Sequence, residues 1–187
     1  HGGGSGSHSA IQAWSYANGK YFLINQFREQ CDFNLLRKTF WSFAKIYSPS
    51  LALIEQTADG PALYAAVSRK TWFDIRMIKP RVSKAERLYP HLAKIRRKTV
   101  LLPANATWAH NFIDEVVGFP GEFTDQVDAM TQYFDLMATS PNLTMPPDRP
   151  LPSLNGSSSR DLVRGYEIMQ VPGGAAALGS RRRWPWS

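Results

Sequence analysis

A single cysteine, Cys31, in 187 residues excludes an internal disulfide and any zinc site built from several thiolates. Long apolar runs are also missing: nothing approaches the roughly 18 or more continuous apolar residues that span a bilayer. The amino terminus lacks the basic-then-apolar order of a secretory signal. A soluble, non-exported protein is therefore expected. Acids are the scarcer charge, with 15 Asp and Glu against 22 Lys and Arg, which leaves a formal charge of +7. That balance favours a polyanionic partner, either nucleic acid or an acidic membrane surface. No GxGxxG, no GxxxxGK[ST] and no Ser/His/Asp arrangement is present, so neither a nucleotide-binding loop nor a nucleophile triad can be argued. His91 and His110 stand alone and read as packing or surface histidines. Carboxylates are the chemistry that remains.

The content is otherwise that of a globular domain, 43% hydrophobic and 12% aromatic, enough for one core. Residues 9–17 and 20–27 are rich in aromatic and β-branched side chains and flank Asn18-Gly19, the favoured pair for a two-residue hairpin turn. Phe33, Leu36, Phe40, Phe43 and Tyr47 recur at helical spacing behind Asp32, a helix cap. LALIE (51–55) reads as a short buried strand, and Pro61 after Gly60 opens a helix. A strand over 72–78, a basic helix over 83–97 interrupted near Pro90, and a strand over 99–102 follow. Two helices, around 107–118 and 123–138, complete the pattern.

A hairpin followed by alternating strands and helices predicts an α/β fold, a mixed sheet with helices on both faces. Three segments are expected: a Gly/Ser loop or linker over 1–8 that continues further polypeptide, a domain over 9–138, and a flexible tail over 139–187. The tail is rich in Pro, Ser and Gly and ends in RRRWPW. Within it, DLVRGYEIM has the character of one short strand or helical turn.

In an open α/β sheet the strand ends face the crevice where ligands bind, which singles out Glu55 at the end of LALIE. Asp125 and Asp128, three apart at the start of an apolar helix, share a face near its positive end. Read alone, each has a plain alternative. Glu55 can be a solvated strand end, and Thr124 or Asp125 can cap the helix with Asp128 as ordinary first-turn charge. Glu122 lies in a Pro-Gly turn, and Asp114 with Glu115 reads as the wet face of the preceding helix.

Carboxylate oxygens without clustered His or Cys suit Mg2+ or Mn2+, and two such ions about 3.5–4 Å apart can assist attack on a phosphodiester. Beside them lies the strongest charge asymmetry in the chain. Arg76, Lys79, Arg81, Lys84, Arg87, Lys94, Arg96, Arg97 and Lys98 face the single acid Glu86 within one 23-residue stretch. Of these, Lys79, Arg81, Lys84, Arg87, Arg96 and Arg97 are the candidate DNA contacts, held by salt-sensitive attraction to phosphates. A solvated helix face is the alternative.

The stretches NGKYFLINQFRE, LALIEQTADGPAL, SKAER, TVLLPANATWAHNFIDEVVGFP and TDQVDAM, in this order over about residues 9–138, resemble the nuclease domain of tailed-bacteriophage terminase large subunits. The resemblance implies an RNase H-like fold and a metal-dependent endonuclease that cuts concatemeric viral DNA during genome packaging. By that resemblance Glu55 and Asp125 are catalytic metal ligands, Asp128 a further ligand, and Mg2+ or Mn2+ a two-ion cofactor. Lys84 and Arg87 fall in the family's basic segment. The implied partners are double-stranded DNA and, in a full-length protein, an ATPase domain, a small terminase subunit and a portal, with no membrane; the implied location is the host-cell cytoplasm. The chain departs from the family in two places. Thr124-Asp125 stands where paired acids are common, and the family's first strand, with its Asp, would precede residue 1. Another RNase H-like nuclease of resolvase or transposase type, or a noncatalytic DNA- or portal-binding module, are the alternative readings.

Overall fold

The computed structural model describes residues 8–140 and the backbone of residues 166–168. Residues 1–7 of the linker expected over 1–8, and most of the expected tail, lie outside the described residues. Two strands, β1 (Ser9–Ala17) and β2 (Lys20–Glu29), form the expected hairpin. Its turn holds Asn18 at φ 51° and Gly19 at φ 75°, the paired left-handed residues that match the twist of adjoining strands. Next comes α1 (Phe33–Tyr47), whose first turn is capped by the Asp32 carboxylate accepting from Leu35 N at 2.7 Å.

A β-α-β unit follows, with β3 (Leu51–Glu55), α2 (Gly60–Val67) and β4 (Asp74–Ile78). Then α3 (Lys84–Leu88), a 3-10 turn at Tyr89–His91 and α4 (Leu92–Arg96) make the interrupted basic helix, broken where Pro90 removes a donor. The order closes with β5 (Val100–Pro103), α5 (Ala109–Gly118), α6 (Asp125–Thr139) and β6 (Tyr166–Ile168). Among the described residues no helix is long and apolar enough to cross a membrane.

The fold is mixed α/β, with helices on both faces of β1. On one face Trp14 stacks on Tyr133 of α6 at 5.0 Å; on the other Ile11 joins the cluster of Leu36, Phe40, Ile54, Leu63 and Val67 under α1 and α2. The larger core packs α3, α5 and α6 through Leu88, Phe112, Val116, Met130 and Phe134 against Leu23, Val100 and Leu102. Each such side chain contributes about 1.5–3 kcal/mol on burial, so this cluster fixes α6 on the sheet.

The strands do not form the single mixed sheet that their alternation suggests. Instead β1-β2-β5-β6 and β3-β4 are separate sheets. The first is antiparallel at β1/β2 and β5/β6 and parallel at β2/β5; the second is parallel. Between them lies a cavity of about 870 Å3. It is lined by every residue of β1 from Ser9 to Tyr16 and every residue of β3. A strand that presents a face lines a space with alternate residues, whereas consecutive lining means that the edge, with its backbone donors and acceptors, faces inward. Alternation within each segment was readable from sequence. The gap was not, because it depends on which strands fail to meet.

Gly60 sets the return from β3 into α2. A Cβ there would lie 1.8 Å from the Glu55 carbonyl oxygen, a backbone atom that cannot rotate aside. Gly60→Ala is expected to lower stability by about 1–3 kcal/mol through forced overpacking and to displace the Glu55 backbone. Denaturant titration together with a crystal structure of the variant checks both.

Candidate functional site

Glu55 ends β3 in register with Ile78 of β4, and the next amide, Gln56 N, donates to Ile78 O at 2.7 Å. The strand end is thus held by two neighbours, β4 and the Gly60 approach. Its side chain reaches across to α6, where Gln132 Nε2 donates to Glu55 Oε2 at 2.5 Å. Glu55, Asp125, Asp128 and Gln132 all line the same cavity between the sheets. The three acids singled out from the sequence thus line one cavity, and the Glu55 charge acts on Asp128.

Their circumstances differ. Asp128 is 6% exposed and its two oxygens are both engaged: Oδ1 accepts from Arg87 Nη2 at 2.7 Å, and Oδ2 pairs with Lys84 Nζ at 2.5 Å. Burial pushes its carboxyl above the usual range, Lys84 and Arg87 pull the other way, and the nearby Glu55 charge adds to the rise. Asp125, at the first position of α6, has no hydrogen bond or ion pair among the described residues. Burial also raises its carboxyl, opposed by Lys84 and reinforced by Glu115. The positive end of α6 favours its ionised form, but desolvation outweighs that help.

The cations divide too. Lys84 bridges Asp128 and the Thr124 hydroxyl, which accepts at 2.6 Å. Arg87 is buried, with Nε and Nη1 unpartnered and its charge turned toward Asp128. Lys79, Arg81, Arg96 and Arg97 are exposed. Lys79 and Arg81 follow β4 directly, beside the Glu55 end of β3, whereas Arg96 and Arg97 close α4. The basic stretch is thus part internal counter-charge and part solvated surface.

Glu115 is a residue that sequence reasoning misplaced. Far from lying on a wet face, it is 8% exposed, while its neighbour Asp114 is exposed. Its Oε1 accepts from Gln126 N at 2.7 Å and Val127 N at 3.1 Å, and its Oε2 accepts from Gln126 Nε2 at 2.6 Å. Arg28 Nε stands 3.4 Å from Oε2. Thr124 makes no side-chain cap, so Glu115 satisfies the first amides of α6 from another helix. Its spacing on α5 behind Phe112 was a weak signal for an inward position; no local motif announces a cap supplied across eleven residues.

As the side chains stand, no group of three or more His, Cys, Asp or Glu among the described residues is arranged to hold a metal ion. Taken singly, Glu55 and Asp125 offer carboxylate oxygens of the kind that hard cations take. Glu55 has one oxygen without a partner, and the half-buried Asp125 has none of the hydrogen bonds that would offset its desolvation. Asp128 does not fit while Lys84 and Arg87 occupy both of its oxygens. No protein-family model, curated protein or solved structure matches the chain.

The two aspartates should respond oppositely to neutralisation. A raised carboxyl pKa means that the folded chain binds the proton more tightly than the unfolded one. The cost of ionised Asp125 is thus present at neutral pH and is relieved as pH falls through its folded pKa. Asp125→Asn is expected to raise Tm at pH 7 and to flatten the rise in stability on mild acidification. Asp128→Asn should instead cost about 3 kcal/mol, because it leaves the Arg87 guanidinium buried without its counter-charge. Thermal melts from pH 4 to 8 on both variants check the signs.

Proposed function

We infer that the chain is a divalent-metal-dependent DNA endonuclease domain with an RNase H-like fold, of the kind that terminase large subunits use to cut concatemeric viral DNA. The observation that carries this reading is that Glu55 lines one cavity with Asp125 and Asp128, which lie 70 and 73 residues further along the sequence. Glu55 and Asp125 are the residues that would hold Mg2+ or Mn2+, which when bound supplies positive charge to a phosphodiester and to the water that attacks it. Gln132 fixes the Glu55 carboxylate through its hydrogen bond. Lys84 keeps a positive charge beside Asp125 and ties Thr124 to Asp128. Exposed Lys79 and Arg81 attract the phosphate backbone toward the Glu55 end of β3. Double-stranded DNA is the substrate in this reading; an ATPase domain, a small terminase subunit and a portal are the partners.

The RNase H-like assignment also accounts for the cavity. In that fold the strand bearing Glu55 has a parallel neighbour, and the inward edges of β1 and β3 are where such a strand would pair. A resolvase- or transposase-type nuclease shares all of this. A noncatalytic DNA- or portal-binding module is favoured by one specific feature, the engagement of both Asp128 oxygens by cations.

Supercoiled plasmid incubated with the chain, alone and with one strand joined ahead of residue 1, tests the reading. Nicking is expected in Mn2+ and absent in chelator. Glu55→Ala and Asp125→Ala should each lower the rate by more than the roughly 10–100-fold that loss of an outer-shell partner costs a metal site, and Gln132→Ala by about that amount. Cleavage that survives chelator overturns the metal mechanism. DNA binding with no Mn2+-dependent nicking and no Mn2+-dependent shift in Tm selects the noncatalytic module.

A further inference from the structure

A second surface, built on α1 and the connection into β4, has no part in the site around Glu55. From Phe33 to Ile54 the chain contains no acid, yet α1 carries Arg37, Lys38 and Lys45. These three are exposed and, with Trp41 and Ser42, line one shallow groove of about 440 Å3. Arg69 and Lys70, also exposed, end the turn after α2 just before Trp72. None of these five cations enters an ion pair among the described residues. Asp74 is the single acid between Gly60 and Ala85. The charge is therefore unspent, in contrast to Lys84 and Arg87.

Aromatic rings lie among these cations. Trp72 is 59% exposed, an unusual state for the largest apolar side chain. It lies against Trp41 with ring centroids 6.3 Å apart and a tilt of 32°. Both indoles rest on the core: Trp41 meets the buried Phe40 edge-on at 5.8 Å, and Trp72 meets Phe73 edge-on at 5.3 Å. Phe40 and Phe73 are themselves in contact at 6.2 Å. The outer rings are thus held by packing and need little ordering on binding.

We propose that this surface is a binding site for single-stranded nucleic acid, in which bases stack on Trp72 and Trp41 while Arg37, Lys38 and Lys45 hold the phosphates. Unpaired cations beside supported, exposed aromatic faces are the combination that single strands use. Every base has a stacking face, and a duplex hides those faces inside its own stack. The proposal does not rest on the endonuclease reading, because it uses none of the carboxylates or cations assigned to that site.

The test is fluorescence anisotropy of a labelled 20-nucleotide oligo(dT) with the full chain, in chelator so that no cleavage intervenes. Binding is expected to weaken as salt rises from 50 to 200 mM. Trp72→Ala should lower affinity about tenfold or more, within the range that loss of one stacked base produces. Lys38→Glu should lower both affinity and salt slope. Neither should change Tm by more than about 2 °C, since both side chains are exposed, and Glu55→Ala should leave oligo(dT) binding unchanged. Three results would each overturn the proposal: Trp72→Ala within twofold of the parent, an equal loss on a 20-base-pair duplex, or Trp72-dependent binding to phosphatidylserine vesicles in place of oligo(dT).

Discussion

The carboxylate of Glu115 is the constraint on which the arrangement depends. A helix begins with backbone amides that have no partner of their own, and burying them unpaired costs about 1–3 kcal/mol each. In α6 those amides belong to Gln126 and Val127, and Glu115 accepts from both. The Gln126 side chain donates back to Glu115 and accepts from Gln26 on β2, while Gln12 on β1 donates to the Gln126 carbonyl. One residue of α6 is thereby tied to α5 and to both strands of the hairpin. With the helix start fixed in this way, its rotation is fixed as well, and Asp125, Asp128 and Gln132 all meet the cavity.

Rotation alone does not explain why two aspartates three residues apart, both raised by burial, differ so much in their partners. They share a face of α6, but Asp128 also abuts α3, which brings Lys84 and Arg87 to its two oxygens. The N-terminus of α3 is itself set by a capping box, Ser83 with Glu86, so the two cations arrive on a helix whose start is locally specified. Asp125 sits one turn earlier, forms no ion pair among the described residues, and feels Lys84, Arg28 and His8 only through space. The outcome is one neutralised acid that holds α3 to α6 and one uncompensated acid that destabilises its own surroundings. A fold gains nothing from the second by itself. Sites that bind cations do, because a ligand that supplies the missing charge converts that cost into affinity.

Much of this was legible in the sequence where the signal is local. Asn18-Gly19 gave the hairpin turn, Asp32 the cap of α1, Gly60-Pro61 the start of α2, and Pro90 the break between α3 and α4. The positions of Glu55 at a strand end and of Asp125 and Asp128 at a helix start were legible too. Non-local facts were not legible. The separation into two sheets depends on edges that meet no strand among the described residues, and periodicity within a strand carries no record of its neighbour. Arg87 lies in a run of basic residues that reads as surface, and burial of its guanidinium follows only from α3 lying on α6. Glu115 was hidden for the same reason, since its role is to serve amides in another helix.

The cavity and the ion pairs bear on one another through solvation. A space of about 870 Å3 between two strand edges admits water to the Glu55 end of β3, and water keeps the local dielectric high enough for like charges to coexist. A strand lying between β1 and β3 would expel that water and satisfy the inward backbone groups of both edges at once. Asp125 and Asp128 would then lose solvation, and each would be costlier to keep ionised. Two cations already serve Asp128. Asp125, which has no ion pair among the described residues, would carry most of that cost.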